Sequence, residues 1–158
     1  MIIKFISNKS HPEFEIFEDN NILIHIKIDA ETQGFRIKFE DKRRVFFISD
    51  EIIKKNKITT LLNEYSQQLG SLSEDKINYN QGEIEIEDSV YIYKMNDDFL
   101  KEINLFEQHS GELVLNCKLG NGELSFLKKN YLNYILFSLA WFAFLTKEKT
   151  GLSKLAKA

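Results

Sequence analysis

The sequence predicts a mainly β fold: a closed antiparallel β-barrel of about 12 strands enclosing a hydrophobic C-terminal α-helix. Three observations predict it. Short runs of alternating apolar and polar residues recur along the chain, and period two marks a strand with one buried face. Turn signals separate these runs at roughly ten-residue intervals, the spacing of an all-β sandwich or barrel. The last long run, residues 130–146 (NYLNYILFSLAWFAFLT), is apolar on every side.

Residues 2–6 form a first apolar segment, and 7–12 a loop in which Pro12 is tolerable at a strand entrance. In 13–17, Phe14 and Ile16 alternate with Glu13 and Glu15. Asp19, Asn20 and Asn21 make a hairpin turn, because Asp and Asn accept left-handed backbone. Ile22, Ile24, Ile26 and Ile28 then share one strand face; Leu23, His25, Lys27 and Asp29 share the other. After a break at 30–34, Phe35, Ile37 and Phe39 alternate with Arg36, Lys38 and Glu40. A turn at 40–42 leads into a returning strand at 43–49. Residues 50–56 read as a helical turn or a loop.

Residues 57–65 and 67–71 read as a strand pair, 73–75 as a turn, and 77–79 as a brief strand before Asn80, Gln81 and Gly82. Ile84 and Ile86 alternate with Glu83, Glu85 and Glu87. A tight turn at Asp88 precedes a strand at 89–95, and 96–98 turns again. A strand at 99–107 and a turn at Ser110 and Gly111 follow. In the strand at 112–119, Leu113, Leu115, Cys117 and Leu119 face one side. Gly120, Asn121 and Gly122 make a hairpin turn into the last strand, 123–126.

Asn130 can cap the terminal helix by accepting from orphan amides of the first turn. The helix over 130–146 would be about 24 Å long. Because no face is polar, it cannot lie on the outside of a sheet and must be surrounded. The strands supply the complement, each with one apolar and one charged face. The rival reading is a membrane tail anchor. The run is short for the ~20 residues a bilayer needs. It contains Asn133, and lysines flank it on both sides without charge asymmetry.

The 158 residues suit one domain spanning 1–158. A net charge of −3 argues against a general nucleic-acid binder. Cys117 is the single cysteine, which excludes an intramolecular disulfide and the multi-cysteine zinc sites and suits a reducing compartment. The N-terminus lacks a signal-peptide h-region, so the expected location is cytoplasmic, with membrane association open.

The whole-chain pattern resembles the tubby C-terminal-like superfamily, which includes the LURP-one-related proteins and the phospholipid scramblases. The stretches that carry the resemblance are 14–28 (FEIFEDNNILIHIKI), 33–48 (QGFRIKFEDKRRVFFI), 88–94 (DSVYIYK), 103–118 (INLFEQHSGELVLNCK) and 131–145 (YLNYILFSLAWFAFL). The resemblance implies a twelve-stranded barrel around a hydrophobic helix, and binding rather than catalysis, at membranes or in regulation. None of the family's ligand-binding positions carries over onto a motif here.

Two surface features are candidate sites. Lys42, Arg43 and Arg44 stand in a hairpin, and Lys54, Lys55 and Lys57 follow in the next loop. If the barrel brings them together, they make a patch for an anionic headgroup or phosphate. Glu83, Glu85 and Glu87 form an acidic stripe that can face a basic partner, or be a solvated face paired with lysines across strands. His11, Glu13 and Glu15 share a parity but lack a fourth metal ligand and read as a solvated face. Cys117, on a face with leucines, reads as a buried inert thiol. The tail lysines 147, 149, 154 and 157 read as a solvated end.

No catalytic residue, metal site or cofactor is predicted. The expected function is a non-enzymatic binding module that meets a lipid headgroup or a regulatory protein through loops outside the filled barrel. The alternatives are a protein-interaction or inhibitor domain using the acidic stripe, and a tail-anchored membrane protein.

Overall fold

In a computed structural model, residues 2–6, 13–29, 33–39, 42–53, 56–75, 80–96 and 101–143 are described. Twelve strands follow in chain order: β1 (Ile2–Ile6), β2 (Glu13–Glu18), β3 (Asn21–Asp29), β4 (Gly34–Phe39), β5 (Lys42–Ile53) and β6 (Asn56–Leu62), then β7 (Gln68–Glu74), β8 (Gln81–Ile86), β9 (Ser89–Asn96), β10 (Glu102–Glu107), β11 (Leu113–Lys118) and β12 (Glu123–Phe126). Each pairs antiparallel with its neighbour in sequence, and β1 meets β12 to close the barrel. The closing seam consists of the pair Ile2 and Glu123 and a hydrogen bond from the Ile3 N–H to the Gly122 carbonyl (2.9 Å). One helix, α1 (131–143), follows β12.

Helix α1 runs inside the wall. Its residues 133–142 are all buried, including Leu136, Phe137, Ala140 and Trp141. Side chains reach it from strands that are not neighbours in the barrel. Phe137 meets Phe14 of β2 and Phe126 of β12 edge-on, at 5.7 and 6.3 Å between ring centres. Trp141 leans on Phe14 at 5.4 Å, and Tyr131 stacks on Phe39 of β4 at 5.2 Å. Edge-on and offset ring pairs are the favourable arrangements for aromatic quadrupoles. The helix therefore joins parts of the wall that do not pair with one another. The tail-anchor alternative is corrected for these residues: they form the core of the barrel. Among the described residues no helix is long and apolar enough to cross a membrane.

Asn130, Asn133 and Ser138 find hydrogen-bond partners close by in the chain. Asn130 caps the helix, its Oδ1 accepting from the Asn133 N–H at 2.9 Å. The Asn133 side chain donates to the Lys128 carbonyl, and Ser138 Oγ donates to the Tyr134 carbonyl at 2.9 Å. The Lys129 ammonium pairs with Glu18, fastening the helix entrance to the end of β2.

The turns follow local chemistry. Asp19 and Asn20 have φ of 51° and 66°, and Glu87 and Asp88 have φ of 50° and 64°, so both hairpins use left-handed residue pairs. Gly82 has a different reason to be glycine. It faces inward on β8, where an added Cβ would lie 2.3 Å from the Tyr93 hydroxyl. The missing side chain leaves room for the Tyr93 ring.

Several expectations are corrected. Ile22 does not share the buried face with Ile24, Ile26 and Ile28; it is 58% exposed. A bulge pairs Ile16 with Ile24 but Phe17 with Ile22, so Leu23 is the extra residue and packs partly against the core. The same device acts on β11. Leu105 pairs with Leu115 but Phe106 with Leu113, so Val114 is buried and Leu113 is 42% exposed. Residues 50–53 are neither helical turn nor loop: β5 runs on through Ile53, and Ile53 pairs with Asn56. Charged residues near that rim broke the periodicity without breaking the strand. The turns expected at 73–75 and 80–82 are shorter, because β7 reaches Glu74 and β8 begins at Gln81. Lys101 (φ 49°) lies outside β10. The connection after β11 is a 3₁₀ turn, Leu119–Asn121, closed by Gly122 at φ 67°. The loop at 7–12 with His11, the turn residues 30–32, 40–41 and 97–98, the brief strand at 77–79, residues 99–100, the helix end at 144–146 and the tail lysines lie outside the described residues.

Replacing Phe137 by Ala should destabilise the domain by about 3–5 kcal/mol, the range for a fully buried Phe. Urea denaturation measures it; a loss under about 1 kcal/mol would mean that the helix is not the packed core.

Burial also holds core protons in place. The Cys117 thiol is pushed up to about 12 by burial, against the ordinary 9.0, with a hydrogen bond to Trp141 opposing. Burial raises the Tyr93 and Tyr131 hydroxyls as well. Groups whose folded pKa is raised bind protons more tightly in the native state, so their contribution is complete below the unfolded pKa and fades above it. Stability should therefore fall as pH rises from 9 toward 12, and less steeply in Cys117→Ala. Equal slopes in the two proteins would refute the thiol's part.

Candidate functional site

With the bore filled, the wall and the rims are the surfaces to consider. The register decides which charges share the outer wall. On β4, Phe35, Ile37 and Phe39 turn inward, so Arg36 and Lys38 point out. The β4–β5 register places Lys38 opposite Arg43 and Arg36 opposite Val45. The β3–β4 register places His25 opposite Lys38 and Lys27 opposite Arg36. Four cations and a histidine thus occupy two adjacent rows across β3, β4 and β5.

They are not equally free. Glu13 on β2 takes His25 Nε2 at 2.9 Å and Lys27 Nζ at 3.8 Å. Arg36, Lys38 and Arg43 are exposed and, among the described residues, form no ion pair or side-chain hydrogen bond. Directly opposed residues have Cβ atoms about 4.5–5.5 Å apart, and like charges at such positions are destabilising. Lys38 and Arg43 are such a pair, with Arg36 about 7 Å along the strand from Lys38. This cationic wall is the candidate site.

A row of apolar side chains lies near it. Ile2, Phe17 and Ile22 are paired across β1, β2 and β3, and Ile2 and Ile22 are 64% and 58% exposed. The bulge that turns Ile22 outward makes this row. His25, part of the cationic rows, stands three residues further along β3.

The basic cluster expected from the sequence is not one patch. Lys42, Arg43 and Arg44 open β5, and Lys57 follows its far end in β6, opposite Ile52. Ile52 is eight to ten residues along β5 from the cluster, so the two groups are about 26–34 Å apart. Lys54 and Lys55 lie outside the described residues, and only the backbone of Lys57 is described. The hairpin cluster itself is split by parity. Arg43 faces out with Lys38, whereas Lys42 and Arg44 stand opposite the inward residues Phe39 and Ile37. Lys42 Nζ lies 5.8 Å over the Phe39 ring.

Arg44 closes the mouth above the helix. Its guanidinium is 5.5 Å from the centres of both Phe46 and Tyr131. Its Nε donates to both carboxylate oxygens of Glu64, at 3.0 and 3.2 Å. That hydrogen bond holds its proton more tightly than usual, against some desolvation. The Tyr131 hydroxyl is buried and without a hydrogen-bond partner among the described residues, and burial pushes it up to about 12 while Arg44 opposes.

The acidic stripe is where the alternation put it: Glu83, Glu85 and Glu87 are all exposed. Their cross-strand neighbours are not lysines. Glu83 lies between Ser73 and Ile92, and Glu85 between Ser71 and Val90. Among the described residues none of the three glutamates has an ion pair or side-chain hydrogen bond. Among the described residues no group of His, Cys, Asp and Glu could hold a metal ion; His11, which shares its parity with Glu13 and Glu15, lies outside them. Cys117 is fully buried against Trp141.

Family models, curated proteins and solved structures were compared with the chain, and none matches.

Replacing Lys38 or Arg43 by Thr should leave stability unchanged or raise it by about 0.2–1 kcal/mol, because a like-charge cross-strand pair is relieved. Thermal melting of each variant checks this. A clear loss of stability would show that these cations support the fold.

Proposed function

We propose that the protein is a non-enzymatic binding module of the tubby-like kind whose outer wall docks on an anionic lipid surface. The observation that carries this reading is the group Arg36, Lys38 and Arg43: three exposed cations held together at an electrostatic cost and, among the described residues, paired with no carboxylate. A layer of phosphate headgroups would relieve that repulsion. The neighbouring row of Ile2, Phe17 and Ile22 favours a membrane surface over a small soluble anion, since apolar side chains gain from entering the headgroup boundary and gain nothing from a free phosphate. The site differs from the loop cluster expected from sequence, sharing with it only Arg43.

Vesicle co-sedimentation tests the reading. The protein should pellet with phosphatidylserine-containing vesicles and stay in solution with pure phosphatidylcholine. Near an anionic surface each cation contributes about 1 kcal/mol, so Arg36→Gln, Lys38→Gln and Arg43→Gln together should weaken binding about 100-fold. Ile22→Ser should weaken it further. Equal sedimentation of the wild type with both vesicles, or capture by inorganic phosphate alone, would sink the lipid reading.

A further inference from the structure

We propose that the cationic wall of one molecule docks against the acidic stripe of a second copy of this chain, in a head-to-tail contact that competes with the lipid surface for the same face. The inference takes the cationic wall from the reading above but does not depend on its lipid.

Two unpaired charge groups of opposite sign stand on one rigid wall. Arg36, Lys38 and Arg43 lie on β4 and β5; Glu83 and Glu85 lie on β8, with Glu87 in the turn that ends it. In the closed order, β5 and β8 are separated by β6 and β7. Three strand spacings amount to about 14 Å along the wall, several times the reach of an ion pair. The groups cannot meet within one molecule, because the hydrogen-bonded sheet between them does not fold back. Facing the gap between them are the uncharged Thr60, Ser71 and Ser73 of β6 and β7.

Between molecules the match is close. Arg36 and Lys38 are outward positions two residues apart on one strand, and so are Glu83 and Glu85 on another, both about 7 Å apart. Two walls laid face to face can set these two rows opposite each other, with Arg43 beside Lys38 and Glu87 beyond Glu85 at the margin of the contact. The second copy also supplies a carboxylate for Lys38 and Arg43, which have none paired with them among the described residues.

The contact is heterologous, because it joins different faces of identical molecules. Each copy offers its cationic wall to one neighbour and its acidic stripe to another, so assembly closes into a ring or grows as an open chain. Exposed ion pairs are individually weak and are screened by salt. Association should therefore be weak and confined to low ionic strength. Self-association hides the cationic wall, and a dense anionic surface would displace the neighbour.

Sedimentation velocity on neutralised variants is the test. At about 0.01 M salt, where the Debye length is ~30 Å, the wild type should rise above its 18.6 kDa monomer mass with concentration, and return to monomer as salt is raised. The variant with Arg36→Gln, Lys38→Gln and Arg43→Gln should stay monomeric, as should the one with Glu83→Gln, Glu85→Gln and Glu87→Gln. Mixed, they should form a one-to-one dimer and nothing larger, since each keeps one half of the contact. Starting from −3, the first carries −6 and the second 0, so the dimer cannot arise from opposite net charges. A monomeric wild type at low salt, variants that still associate alone, or a mixture that stays monomeric would each overturn the proposal. If the glutamines impair folding, threonine at the same positions provides the second set. Vesicle binding by a monomeric wild type would remove this inference alone; dimer formation without vesicle binding would remove only the lipid reading.

Discussion

A helix that is apolar on every side has no stable place at a water-facing surface, and most of this structure follows from that constraint. Residues 133–142 of α1 are buried all round, which requires a wall on all sides. Twelve antiparallel strands, each with one apolar face, supply that wall only when the first and last of them meet. The dependence is mutual. Without the helix the inward rings of Phe14, Phe39 and Phe126 would lose the partners they pack against. The bore therefore holds a packed core, and recognition is left to the outside.

The outer wall is shaped by exceptions to period two. Bulges on β3 and β11 each add one residue and invert the alternation beyond it. One turns Ile22 out and draws Leu23 in; the other exposes Leu113 and buries Val114. In a strand buried on one face, such a slip has consequences for every residue past it. Here it adds exposed Ile22 to the outward row of Ile2 and half-buried Phe17 near the cationic wall.

The charges show the same logic across strands. Lys42, Arg43 and Arg44 are contiguous in sequence yet have different tasks, because adjacent residues of a strand face opposite ways. Arg44 is engaged by Glu64 and two rings at the mouth, and Arg43 joins Lys38 on the outside. Arg36 and Lys38, quoted as the polar half of an alternation, turn out to be the larger part of the exposed cation group. The pairing of FRIKF with KRRVF across a short hairpin carried that signal.

Local pattern alone was sufficient for the fold class, for most strand positions, for the Asn130 cap and for the all-round burial of the helix, because periodicity and capping are properties of consecutive residues. Glu83, Glu85 and Glu87 were legible for the same reason, lying on one strand and the turn that ends it. The candidate site was not, since a patch made by three strands depends on register. Register is set by hairpin lengths, bulges and the closing of the barrel, none of which any single stretch contains. The tertiary structure alone decided that Lys57 stands far along the barrel from Lys42, that Arg44 faces inward, and that Arg36, Lys38 and Arg43 share one face and form no ion pair among the described residues.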